Sequence, residues 1–149
     1  MDERIEIWNL LHDGSITAIE QNGDTLTMFI SIPYVRRRMK PIGDSFNLTL
    51  SGLSRMDFCD PWGEIHSFAE ELGVGVVTGP TIISSHSDSM PITIEFEYGR
   101  LILDFQSISF ALDTGSPVSL MEIEKVAAEY WQELVSRAER NRGKKDRDD

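Results

Sequence analysis

The sequence predicts one α+β domain: an antiparallel β meander of six or seven strands, curved or rolled into a partial barrel, with a short helix before it and a long helix after it. Three observations predict this. Apolar and polar residues alternate over Thr25 to Ile32, Ser45 to Ser51, Ile92 to Tyr98 and Leu101 to Gln106, the period of strands with one wet face. Residues suited to tight turns, Asn22-Gly23 and Gly99-Arg100, lie at the ends of such stretches. From Leu120 the apolar period becomes helical and stays so to Ala138.

Taken in order, Ile5, Trp8 and Leu11 recur every three residues, with Ile7 and Leu10 beside them, which suits one or two helical turns over Glu3 to Leu11. His12-Asp13-Gly14-Ser15 then ends the helix and opens a strand over Ser15 to Glu20. The turn Gln21-Asn22-Gly23-Asp24 joins it to Thr25 to Ile32, with Asn-Gly supplying the positive φ of a hairpin. Pro33 to Gly43, with two prolines and the run Arg36-Arg37-Arg38-Met39-Lys40, reads as a connecting loop. Ser45 to Ser51 is the third strand. Met56 and Phe58 continue its alternation after a bend at Gly52, until Asp60-Pro61-Trp62-Gly63 breaks it.

Ile65, Phe68, Ala69 and Leu72 have the spacing of a short helix closed by Gly73, and Gly79 to Pro91 reads as an irregular exposed loop. Strands at 92–98 and 101–106 pair around Gly99-Arg100. The apolar phase shifts near Ser107, where Ile108, Phe110 and Leu112 take over, so a bulge or strand switch is expected there. Ser116-Pro117, or the capping box Ser119 with Glu122, starts the long helix, and Gly143 ends it. The domain is therefore 1–142, with a disordered charged tail over 143–149.

Bulk properties narrow the function. A chain of 149 residues with net charge −11 and pI near 4.6 is repelled by a phosphate backbone, which argues against nucleic acid and for a basic partner. No apolar run spans a membrane, and the acidic start Met1-Asp2-Glu3-Arg4 lacks a signal-peptide block, so the expected compartment is the cytoplasm. Cys59, the single cysteine, fits a reducing compartment.

Catalytic motifs are few. Cys59 has no flanking basic residue to lower its pKa, and no Gly-x-Ser-x-Gly or phosphate-binding loop occurs. Asp113-Thr114-Gly115-Ser116 matches the tetrapeptide of aspartic proteases, but too little chain follows it to support such a site. His12, Asp13, Asp57, Asp60, His66 and His86 show no metal-ligand spacing, although His66 has Asp57, Asp60 and Glu64 near it in sequence. No catalytic residue, metal or cofactor is expected.

Two groups remain as candidate partner contacts. Glu95, Glu97 and Asp104 project from one outward face if their strands pair, and like charges side by side favour a basic partner. Arg36, Arg37 and Arg38 form the one concentrated positive patch, able to hold a phosphate, a carboxylate or an acidic segment. His12, Asp13 and His66 are the candidate wall of a pocket.

Trp8, Leu11-His12-Asp13-Gly14-Ser15-Ile16 and Ile32-Pro33-Tyr34-Val35-Arg36 resemble the opening of small uncharacterised bacterial proteins that begin with a Leu-His-Asp-Gly segment. Some of these are similar in size and acidity to immunity proteins of bacterial toxin systems. The resemblance covers the first forty or so residues and implies a non-enzymatic protein that neutralises a toxin by binding it. It carries no catalytic residues. The second reading is a small-molecule binding or hydrolytic domain with a pocket between sheet and long helix, and the third is a subunit that oligomerises through sheet edges or the Trp131 helix face. The sequence leaves the oligomeric state open.

Overall fold

Alternation of apolar and polar residues decides which face of each strand is buried, and the computed structural model, which describes residues 2–41, 43–67, 82–85, 87–97 and 99–147, follows that alternation closely. Helix α1 (Glu3–Leu10) leads into strands β1 (Ser15–Asn22) and β2 (Thr25–Ser31), followed by a one-turn helix α2 (Pro33–Arg36). Strands β3 (Ser45–Ser51), β4 (Arg55–Cys59), β5 (Ile65–His66), β6 (Ile82–Ser85), β7 (Ile92–Phe96), β8 (Gly99–Asp104), β9 (Ser107–Leu112) and β10 (Pro117–Val118) come next, and helix α3 (Leu120–Arg147) closes the order. The fold is α+β, antiparallel throughout, with the short first helix and long last helix that the sequence predicts.

Among the described residues the strands number ten rather than six or seven, and they form two open five-stranded sheets rather than one curved sheet or partial barrel. One sheet has the order β1-β2-β3-β9-β10 and the other β5-β4-β8-β7-β6. Two bends make the difference. At Gly52 the chain leaves β3 for β4, and at Phe105-Gln106 it leaves β8 for β9, so one long antiparallel pair turns a corner and belongs to both sheets. Gln106 N donates to Ser51 O and Ser54 N donates to Asp104 O, both at 2.9 Å, which keeps the ladder paired around the corner. These are the places where the sequence predicts a bend and a strand switch. Gly52 has φ +70°, and a Cβ there would lie 2.7 Å from Gln106 Cγ, so both conformation and space call for glycine.

One core fills the space between the sheets and under the helices. Leu26, Met28, Ile30, Phe46, Leu48 and Leu50 enter it from the first sheet, and Phe58, Ile92, Ile94, Leu101 and Leu103 from the second. Ile7, Trp8 and Leu11 of the first helical segment and Ile123 and Ala127 of α3 complete it. Trp8 is fully buried, and its indole N–H donates to Arg4 O at 2.8 Å, so its one polar atom is satisfied. The outward residues of β3, Ser45, Asn47, Thr49 and Ser51, stay half-buried, in keeping with a polar sheet face.

Several local expectations need correction. Asn22 is the last residue of β1 and pairs with Thr25, so the hairpin turn is Gly23-Asp24, with positive φ at Gly23 alone, as in a type II′ turn. The segment read as loop after Ile32 opens with α2, because Pro33 supplies the φ of a first helical turn. Ile65 and His66 pair with β4 rather than starting a helix, and the rest of that expected helix lies outside the described residues. Ile82–Ser85 is an edge strand inside the stretch read as irregular. Pro117–Val118 pairs with β9, so Ser116 does not start the last helix. Ser119 does: its hydroxyl accepts from Glu122 N at 3.1 Å while Glu122 Oε2 accepts from Ser119 N at 3.0 Å. Gly143 does not end that helix, which runs on to Arg147.

Candidate binding surface

Chain geometry at the end of α1 decides the role of His12 and Asp13. Asp13 takes φ +70° and Gly14 N donates to Leu11 O, which turns the chain sharply out of the helix. Asp13 N donates to Ile82 O at 2.8 Å and Ile82 N to Gly14 O at 2.9 Å, stitching the turn to β6. The His12 ring stacks on Trp131 with centroids 5.0 Å apart, and its Nε2 lies 3.4 Å from Asp13 Oδ2. Tyr34 donates its hydroxyl to His12 O at 2.8 Å, and its ring lies 4.6 Å from that of Tyr130. Burial, with smaller contributions from Asp13 and Tyr130, pushes the Tyr34 phenol up to about 12. His12 and Asp13 therefore close the first helix and anchor α3. His66 sits on β5, at the opposite edge of the second sheet from β6, so the three residues do not line a common pocket.

The arginine run separates into three roles. Arg36 is 0% exposed, and its guanidinium donates to Asp113 Oδ1 at 2.6 and 3.0 Å and to the carbonyls of Ser45, Met39 and Pro41. It is an internal crosslink rather than part of a surface patch. Arg38 pairs with Glu133 of α3 and lies over the Tyr130 ring, and Arg37 is exposed. Asp113 stands in the turn between β9 and β10. Burial raises its carboxyl, but Arg36 and the backbone N–H of Asp44 outweigh that and hold it below the usual aspartate value. The tetrapeptide shared with aspartic proteases thus has its carboxylate committed to a buried arginine.

Strand register also settles the three acids of the second sheet. Glu95 lies directly opposite Arg100, with their charged atoms 3.9 Å apart, and Asp104 lies opposite Arg55. Arg55 in turn holds Asp57 at 2.7 Å. Glu97 follows the end of β7 and is exposed. Glu95 and Asp104 do share the outward face, but cations are interleaved between them, which leaves little charge there to recruit a partner.

At the β4–β5 turn, Asp60 Oδ1 accepts from the N–H groups of Trp62 and Glu64, and Asp60 Oδ2 lies 2.7 Å from His66 Nε2. The His66 hydrogen bond lowers the Asp60 carboxyl. Asp60, Glu64 and His66 offer three ligand atoms within 4.8 Å of one another and could hold a metal ion. A groove of about 530 Å³ beside them is lined by Arg55, Asp57, Ile65 and His66 among others. The Cys59 thiol, half-buried, lies 3.7 Å from Asp60 O.

A second groove, about 280 Å³, is acidic. Asp2, Ile5, Glu6 and Asn9 line it from the first helix, and Ser85, Ser87 and Asp88 from β6 and the segment after it. No basic residue is among these lining residues. Arg4 clasps Asp2 from outside at 2.6 Å and lowers its carboxyl, so Glu6 and Asp88 carry the open charge. Ser85 is 7% exposed, and its hydroxyl has no hydrogen-bond partner among the described residues. The helical i, i+4 spacing of Asp2 and Glu6 was legible in the sequence. The strand that brings Ser85 and Asp88 against them was not, because it falls in the stretch that reads as irregular.

Comparison with protein families, curated proteins and solved structures finds no match to this chain. Among the described residues no helix is long and apolar enough to cross a membrane.

Proposed function

We propose that the chain is a non-enzymatic domain that binds another protein, taking a basic segment of its partner into the acidic groove between α1 and the β6–β7 side. The observation that carries this reading is the groove itself: Glu6 and Asp88 line it, and no cation is among its described lining residues. A Lys or Arg side chain supplies the complementary charge. The overall charge of −11 speeds encounter with such a partner. A toxin-neutralising immunity protein of the bacterial cytoplasm is the specific form of this function, in which the acidic surface blocks a basic toxin cleft. Titrating a labelled arginine-rich peptide tests it: binding is expected to be lost on Glu6→Lys with Asp88→Lys, and unchanged binding refutes the reading.

A second reading rests on Asp60, Glu64 and His66 beside the 530 Å³ groove, which supports a small-molecule or metal-assisted hydrolytic site there. Calorimetric titration with zinc tests it. One equivalent bound, and lost in His66→Ala, favours this reading over the first.

A further inference from the structure

Helix α3 leaves the body half-way along its length. Its first half is held by Leu120, Ile123, Val126, Ala127, Tyr130 and Trp131, whereas every residue from Leu134 to Arg142 is exposed, Leu134 at 41% and Val135 at 56%. Leu134 to Arg142 cover about 13 Å of this 28-residue helix and stand clear of the described body as an arm. Among the described residues no packing supports Leu134 to Arg142, and a lone helix of this length is marginal in water.

Its charge is opposite to that of the body. Residues 134–147 contain six of the chain's 14 basic residues and two of its 25 acidic ones, a formal charge of +4. Residues 1–133 contain eight basic and 21 acidic residues, a formal charge of −13. Because the arm continues a helix already packed through Trp131, it cannot fold back on its own body without breaking. The acidic surface that complements it is within reach only on another molecule.

We infer that the arm docks on the acidic body of a second copy, with Arg137 and Arg140, which share one side of the helix, directed to the groove of Glu6 and Asp88 and with Leu134 beside them covered in the contact. Reciprocal exchange of arms closes this contact as a two-fold dimer. A second copy is favoured over nucleic acid, since the −13 body attached to the arm repels a phosphate backbone. The inference rests on the acidic groove as a receiver of basic segments, and it names the chain's own helix as one such segment, in competition with any other partner.

Sedimentation velocity of the full chain at about 20 mM and about 500 mM salt tests it. The expected result is a dimer at low salt that weakens about tenfold or more at high salt. Arg137→Glu and Arg140→Glu together give a monomer, and adding Glu6→Lys and Asp88→Lys to that chain restores the dimer. A monomer at every concentration, or a dimer indifferent to arm reversal, overturns the inference. Titrating a synthetic peptide of residues 134–147 onto the arm-reversed full chain separates the two claims. Peptide binding beside a monomeric natural chain refutes arm exchange but leaves the groove reading standing, and no binding refutes both. Arm-dependent retention of a DNA duplex by a monomeric chain overturns the inference in favour of nucleic acid.

Discussion

Arg36 and Asp113 lie far apart in the chain and meet in its interior, and neither role is visible in its local sequence. A charge run is ordinarily a solvated face, and only the packing of α2 against β3 turns the first arginine of this run inward. Because Arg36 is fully buried, removing its partner leaves an uncompensated cation, so Asp113→Ala is expected to lower stability by about 3 kcal/mol in urea unfolding. The pH dependence follows from the same pair. The folded Asp113 carboxyl is held below its unfolded value near 3.8, so the pair's stability is present above that value and lost as pH falls through the lower folded one. Asp113→Asn should therefore flatten the acid limb of the stability profile below about pH 4, measured as the urea midpoint at successive pH values. Gly43 is part of this crosslink. A Cβ there would lie 2.7 Å from Arg36 Nη2 and closer still to the Asp113 carboxylate. Tyr34 offers a spectroscopic check on the His12 anchor: its ultraviolet titration should have a midpoint of about 12, and an ordinary phenol midpoint would mean that the α2–α3 contact is open in solution.

At the scale of elements, the long alternating strands and the last helix were legible because each buries one face, and period alone reveals that. Gly52 and the phase shift at Ser107 also announced the corner, since a strand that changes sheets must exchange its inner and outer residues there. What the sequence hid were the short edge strands β5, β6 and β10. Two to four residues are too few for a period, and their pairing is set by neighbours distant in the chain. The hidden β6 is also what hid the acidic groove. Two substitutions probe this level. Gly52→Ala puts a Cβ at φ +70° on the corner and is expected to cost about 1–3 kcal/mol of stability, read from thermal unfolding. Ser119→Ala removes one half of the capping box and is expected to cost about 1 kcal/mol, with loss of helical circular dichroism on warming if α3 frays from its start.

For the whole molecule, the organising fact is the division of charge between an acidic body and a basic, free-standing helical arm. The sequence displays both totals but not their separation in space, because the end of the packed half of α3 is set by the extent of the body beneath it. The outward acids of the second sheet looked like the partner surface, but register places Arg100 and Arg55 opposite two of them. The groove at α1 keeps its open charge. Fluorescence anisotropy of a labelled arginine-rich peptide, measured at equal salt on three full-length chains, decides between a built groove and diffuse charge. The chains are the natural one, Glu6→Lys with Asp88→Lys, and Glu95→Lys with Glu97→Lys; the two variants change net charge equally. The groove variant should bind about tenfold or more weakly while the sheet variant stays within about twofold of the natural chain. Equal weakening of both, or no binding by the natural chain, would contradict the proposed function.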